Sequence, residues 1–169
     1  MRSFRQDPGE MEKLLEFLGE DLENVRRVVS RCEEEGLDVE FEVHPVAETA
    51  QQSVEYSDVE LSQIVKTLVF IGEEPVAVLC PGDREVSESL LEEELGTGVR
   101  LANPDEVEDA TGYVVGGVSP FDLDIPVLIE ESIMEHEEVR PAAGSRVIGA
   151  AISPGELKET TGGKTMELS

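Results

Sequence analysis

Met11, Leu14, Leu15 and Leu18 recur in steps of three and four after Asp7-Pro8, and Leu22, Val25, Val29 and Cys32 continue the pattern up to Gly36. This spacing predicts helix, either two helices parted near Gly19 and Asp21 or one running through both. DVEFEV, Asp38 to Val43, alternates apolar and polar residues and predicts a strand with one wet face. TAQQSVEYSDVELSQ predicts a short helix and a turn. Val65 to Ile71 and VAVLC, Val76 to Cys80, are joined by GEEP and predict a hairpin of well-buried strands. PGDREVSESLLEEELG predicts a loop and then a helix ending at Gly96, and VRLA a short strand. In NPDEVEDATG, Asn103 is an N-cap, Pro104 the first helical residue, Glu106 the third and Gly112 the stop. YVVGGVSPFDLDIP reads as irregular, VLIEES and RVIGAAI as strands. Ser153, Pro154 and Glu156 repeat the cap pattern ahead of a polar tail. Hairpins mixed with single helices predict an α/β (α+β-like) fold, one domain with a mixed, mostly antiparallel sheet and helices around it.

Composition narrows the setting. The 169 residues suit one domain with a real core, and no run of eighteen apolar residues offers a membrane span. The first residues lack the apolar stretch of a signal peptide, so a soluble, cytoplasmic protein is expected. Cys32 and Cys80 form no CxxC pair and read as reduced, buried thiols. Acidic residues number 39 against 13 basic ones, a net charge of −26, and they are spread along the whole chain. Dispersed carboxylates with scarce lysine fit adaptation to molar salt better than an acidic binding surface. At about 1 M salt the Debye length is roughly 3 Å, so this charge does not exclude an RNA substrate.

Against that background a lysine within QIVKTLVF stands out. Lys66 shares a strand face with Ile64, Leu68 and Phe70, and an ammonium buried there needs a counter-charge. Taken alone, such a lysine more often snorkels from a strand end. GGVSPF, Gly116 to Phe121, has two glycines whose amides can point at an anion or an oxyanion, although a tight turn between strands uses the same residues. Asp83 in PGDRE fits a turn with an Asx contact. His44 and His136 are far apart and lack ligand spacing, so neither a metal nor another cofactor is expected. No GxSxG elbow is present.

Taken in order, QIVKTLVF, PGDREV, VRLANPDEVEDATGYVVGGVSPF and AAGSRVIGAAISPGEL resemble the YbaK family, aminoacyl-tRNA deacylases related to the editing domain inserted in prolyl-tRNA synthetases. The resemblance runs from about Gly36 to Leu157. It suggests an N-terminal helical extension over 1–20, a deacylase domain over 21–162 and a polar tail over 163–169. It implies a trans-editing hydrolase that cleaves the ester of mischarged tRNA, Cys- or Ala-tRNA(Pro) being the usual class, without a metal. The implied partner is the 3′ acceptor end of the tRNA, with prolyl-tRNA synthetase as a further candidate and neither DNA nor a membrane. The family's pocket lysine falls on Lys66 and its glycine loop on Gly116, Gly117, Ser119 and Pro120. His44, Asp83 and Gly144 fall among its substrate contacts. Two departures appear. Asp122 stands where the loop usually continues with glycine, and Gly149 stands where cysteine-editing members carry an acid. A rival from another class is a binding module of the same fold that holds tRNA or a synthetase without hydrolysis.

Overall fold

The computed structural model describes residues 8–44 and 59–169. The helix and turn expected over 49–63 lie mostly outside that range, apart from a 3-10 turn at Leu61–Gln63.

Helix α1, Pro8–Glu34, is continuous through Gly19 and Asp21, so the two-helix alternative falls away. Its buried line is Leu14, Asp21, Val28 and Cys32, while Leu15 and Leu22 are 60% and 40% exposed. Those two had been expected on the apolar face; in one straight helix, steps of seven, seven and four keep a single stripe on the sheet. A carboxylate, Asp21, therefore occupies a core position.

The hairpin forms as expected. β2, Ile64–Ile71, and β3, Pro75–Pro81, pair antiparallel from Val65↔Pro81 to Ile71↔Pro75. With β1 (Glu40–Val43), β4 (Arg100–Leu101), β5 (Val127–Glu130), β6 (Arg140–Ser145), β7 (Ile148–Ala151) and β8 (Lys164–Met166) they build one mixed sheet. Its order is β1-β7-β6-β2-β3-β5-β8, with β4 beside β2. The β2–β6, β3–β5 and β5–β8 pairs are parallel.

The sheet has two unlike faces. Val65, Val69, Ala77, Leu79, Val127 and Ile129 pack with Val28 and Cys32 of α1. Phe70, Val76, Val78 and Leu128 pack on the other side with Leu91 of α2, Glu88–Leu95, and with Leu168. Each fully buried Leu or Ile adds about 1.5–3 kcal/mol. Helices α3 (Pro104–Thr111) and α4 (Pro154–Thr161) carry the caps read from the sequence, the Asn103–Glu106 capping box and Ser153, and Ser87 caps α2.

Two strands differ from expectation. RPAAGS forms β6, and a bulge between Ala142 and Ser145 accommodates its glycine. The residues expected as a polar tail contribute β8, and Leu168 is fully buried with its N–H donated to Glu130 Oε2 at 2.6 Å. VLIEES ends as a strand at Glu130, and Glu131–Glu135 turns into 3-10 helix. Among the described residues no helix is long and apolar enough to cross a membrane.

Candidate active site

Lys66 leaves β2 on the face of Leu68 and Phe70, away from α1. Register sets it opposite Cys80, and Cys80 stands beside Glu130 because Leu79 pairs with Ile129. The expectation of a buried cation needs correction: Lys66 is half-buried, and its Nζ donates to the Arg84 carbonyl at 2.7 Å. Among the described residues no carboxylate forms an ion pair with it. One carbonyl dipole and partial hydration thus stand in for the counter-charge, and an ammonium has three donors. The Arg84 carbonyl also accepts from Cys80 Sγ at 3.5 Å. Burial pushes the Cys80 thiol up to about 11, with nearby Lys66 acting weakly the other way, so it is no nucleophile at neutral pH. Asp83 lies exposed in the same turn and makes no ion pair among the described residues.

Beside Lys66 the sheet comes apart. β2 and β6 run parallel through Ile64↔Arg140 and Val65↔Pro141 and then separate. On that edge of β2 the next partner is β4 at Phe70 and Ile71, with Ala102 N–H donating to the Val69 carbonyl at 2.9 Å. Among the described residues, 66–68 have no ladder partner on this side. Odd-numbered residues turn their peptide groups this way, as Val69 does, so both backbone groups of Thr67 face the gap. The Thr67 hydroxyl is also enclosed without a hydrogen-bond partner among the described residues. Buried polar groups left unpaired are uncommon and call for an explanation. Sequence reading passed over Thr67, since threonine in a strand is ordinary.

The glycine loop follows α3. Tyr113 is fully buried and its hydroxyl donates to the Phe121 carbonyl at 2.6 Å. Gly117 N–H donates to the Val114 carbonyl at 2.9 Å, closing a turn. A Cβ on Gly117 would stand 3.1 Å from the Ser145 backbone, and one on Gly116, at φ +94°, would stand 2.9 Å from Arg146 Cγ. Glycine is needed here for close approach to the end of β6. Ser119 and Pro120 do not face outward. Ser119 is fully buried with Oγ accepting from Phe121 N–H at 3.3 Å, and Pro120 is buried beside it. The Gly117 amide is already taken, whereas those of Gly116 and Val118 have no partner among the described residues.

Gly144 is also structural. At φ +89° it lies where a Cβ would come within 2.7 Å of the Asn24 carbonyl oxygen of α1. His44 is half-buried at the end of β1, and its Nε2 is 3.8 Å from where a Gly149 Cβ would stand. By register Lys66, Arg140, Ala142, Gly149 and Glu42 share one face. Arg140 is engaged by Glu42 at 2.5 Å and Glu138 at 3.0 Å, leaving Lys66 as the cation on that face without an ion pair among the described residues. Val118 and Phe121, by contrast, pack into the α1 side of the sheet. Lys66 and the apolar residues of the loop therefore lie on opposite faces of the sheet, with Gly117 against Ser145 at the end of β6. No group of three His, Cys, Asp or Glu residues among those described is arranged to hold a metal ion.

At Asp122 the departure from the family pattern has a visible counterpart. The residue takes φ +58°, the left-handed region suited to glycine and tolerated by aspartate. Its carboxylate is held by Arg27 Nε at 2.7 Å and by Arg31 Nη2. Burial raises the Asp122 carboxyl, but hydrogen bonds from Arg27 and Arg31 outweigh it and hold the group below the usual range. Neither arginine, nor Asp21, was singled out from sequence; helical charges are usually solvated and give no signal of long-range pairing.

Residues 44–160 match the family model described as the aminoacyl-tRNA editing domain. The chain is 33% identical to YwhH of Bacillus subtilis over 142 residues, 82% of this chain and 89% of that protein. It is 27% identical to EbsC of Enterococcus faecalis, named for Cys-tRNA(Pro)/Cys-tRNA(Cys) deacylation, across 86% of this chain and 92% of that one. A crystal structure described as a trans-editing enzyme for prolyl tRNA synthetase superposes with a TM-score of 0.81 at 28% identity, covering 86% of this chain and 96% of the other.

Proposed function

The chain belongs to the aminoacyl-tRNA editing domain family, and on that footing we propose that it hydrolyses the ester linking a mismatched amino acid to the 3′ end of tRNA. The observation that carries this reading is the gap between β2 and β6, where a half-buried ammonium adjoins a strand edge and a Thr67 hydroxyl that have no partner among the described residues. An extended, polar chain end laid in that gap would meet Lys66 on one face of the sheet and the glycine loop on the other.

In this mechanism Lys66 attracts the terminal phosphate or the charge growing on the ester carbonyl. Its strand fixes its root, so little reorganisation is needed as charge develops. Of the Gly116 and Gly117 amides read for the oxyanion role, Gly116 keeps it and Val118 joins it, since the Gly117 N–H is engaged with Val114. The ester is already activated, so placing and polarising it supplies the rate, and water or a thiol on the substrate attacks. We assign the substrate to the Cys- or Ala-tRNA(Pro) class, with Gly149 favouring a small, uncharged side-chain pocket near His44. The reaction needs no metal, so a chelator leaves the rate unchanged.

One observation favours the second reading, a module that binds tRNA or a synthetase without hydrolysis: Lys66 and the loop's apolar residues lie on different faces of the sheet. Purified protein incubated in molar salt with Cys-, Ala- and Pro-charged tRNAs separates the two. Selective release of cysteine or alanine supports hydrolysis; tight binding with intact esters in all three supports the module.

A further inference from the structure

Helix α1 reaches both ends of the glycine loop through one side chain, Arg27, while Arg31 meets only Asp122. Arg27 Nη1 donates to the Thr111 carbonyl at 2.6 Å, where α3 ends and the loop begins. Its Nε donates to Asp122 Oδ2 at 2.7 Å, and its Nη2 to the Asp122 carbonyl, where the loop closes. The guanidinium also lies 4.2 Å from the centroid of the Tyr113 ring. A planar fork with five donors can span two chain segments in one fixed geometry, which an ammonium cannot do. Both ends of the segment carrying Gly116 and Gly117 are therefore pinned to a single group from a distant element. Inside that bracket, Tyr113 and Phe121 are cross-linked by the tyrosine hydroxyl at 2.6 Å.

The other flank of the loop is fixed from the same helix. Arg146 Nη2 bonds Asp21 Oδ1 at 3.0 Å and Glu20 Oε2 at 2.9 Å, and its guanidinium stacks 3.8 Å from the Phe17 ring centroid. This anchored side chain supports Gly116, whose Cβ position it nearly fills. The free amides of Gly116 and Val118 thus sit in a short span held at both ends and from beneath by α1.

We propose that Arg27 is a positioning residue for ester hydrolysis: by joining Thr111 to Asp122 it fixes the direction of the loop amides without touching the substrate. This rests on the deacylase reading. It gives a part in the reaction to the half of α1 that the sequence placed in the domain, after residue 20.

The test compares wild type with Arg27→Met, Arg27→Lys and Asp122→Gly by deacylation kinetics, thermal melting and amide exchange at Gly116 and Val118. Asp122→Gly keeps the backbone carbonyl that Arg27 needs but removes the carboxylate held by Arg27 and Arg31, so it should speed loop exchange and lower kcat less than Arg27→Met does. Arg27→Met should lower kcat by about tenfold to a hundredfold, leave KM within about twofold of wild type, and speed loop exchange. Arg27→Lys should restore at most part of either. Unchanged loop exchange in Arg27→Met overturns the proposal, as does faster exchange with unchanged kcat. A kcat loss that merely tracks a lower folded fraction overturns it too. Wild type that releases no amino acid from any charged tRNA sinks the deacylase reading itself, whereas an active wild type beside an equally active Arg27→Met sinks the positioning role alone.

Discussion

The two halves of the candidate site are held by different forces. Lys66 is rooted in the β2–β3 ladder, where seven consecutive pairs run from Val65↔Pro81 to Ile71↔Pro75 and the strands bury Val78, Leu79 and Cys80 completely. The glycine loop has no ladder. It is fixed by Arg27, Arg31 and Asp122, by the Tyr113 hydroxyl and by close packing on Ser145. Ladder and core resist salt and pH because they are apolar and backbone-bonded, whereas a half-exposed charge cluster is tunable by both. One face of the gap is therefore rigid by construction and the other by electrostatics. Of the chain's nine arginines, Arg27 and Arg31 hold the loop through Asp122, and Arg146 lies against Gly116.

The largest effect expected is at the rigid half. Lys66→Ala removes the ammonium from a strand that its backbone bonds keep intact. Deacylation of the preferred charged tRNA should fall by about a hundredfold to a thousandfold, the usual cost of losing one preorganised electrostatic group. The melting temperature should stay close to wild type. Near-normal turnover would show that the loop side of the gap works without the cation.

Next comes the packed edge of the loop. In Gly117→Val a Cβ already meets Ser145 backbone at 3.1 Å, and two methyls must displace the loop. Overpacking of this kind costs about 1–3 kcal/mol. Because the loop lies outside the ladder, activity should fall further than stability; equal losses would mean that the loop and the β6 end unfold as one unit.

Much of the ladder was legible in the sequence and little of the clamp was. Alternation and β-branching mark β2, β3 and the strand around Ile148, and cap residues mark the helices at Asn103 and Ser153, because those signals are local. β6 was hidden because Pro141 and Gly144 interrupt its apolar pattern; Pro141 pairs with Val65, and a bulge between Ala142 and Ser145 takes the glycine. β8 was hidden because three residues gain their strand character from pairing with β5. The motif containing Lys66 could be found, but its partner, the Arg84 carbonyl, is a backbone group without a residue signature. Ser119, Pro120 and Gly144 were read as substrate contacts from motif position; in the fold Ser119 and Pro120 are buried and Gly144 lies against Asn24 of α1. Asp21 and Arg27 carry charges that appear surplus in a helix this acidic. Their roles depend on residues about 90 to 125 positions away, which no local pattern reports.

A smaller effect is expected from acid. Asp122 has its carboxyl below the usual range in the folded state. A depressed carboxylate contributes stability fully above its unfolded value, about 3.9, and loses it as pH falls through the folded value. On lowering the pH beneath about 4, amide resonances of residues 116–122 should shift before those of β2 and β3 do. Simultaneous loss of both sets would contradict the separate anchoring of loop and ladder. The partial exposure of all three side chains, 27% and 36% for Arg27 and Arg31 and 30% for Asp122, keeps this contribution modest in molar salt.

The smallest effect belongs to a pair of the same chemistry without the loop. Arg100 and Glu106 form a two-point ion pair, with both contacts at 2.7 Å, beside β4 and α3. Hydrogen bonds from Arg100 and from the Asn103 N–H pull the Glu106 carboxyl down to about 2. Its contribution is likewise complete above the unfolded value and disappears as pH falls through about 2. Yet Arg100 is 59% exposed, and no residue of the candidate site depends on it for its position. In molar salt Arg100→Ala should leave both the melting temperature and deacylation unchanged, while Arg27→Met slows the reaction. If Arg100→Ala slowed it as much, proximity of charge to α3 would explain the effect at Arg27, and the bracket from Thr111 to Asp122 would lose its special standing.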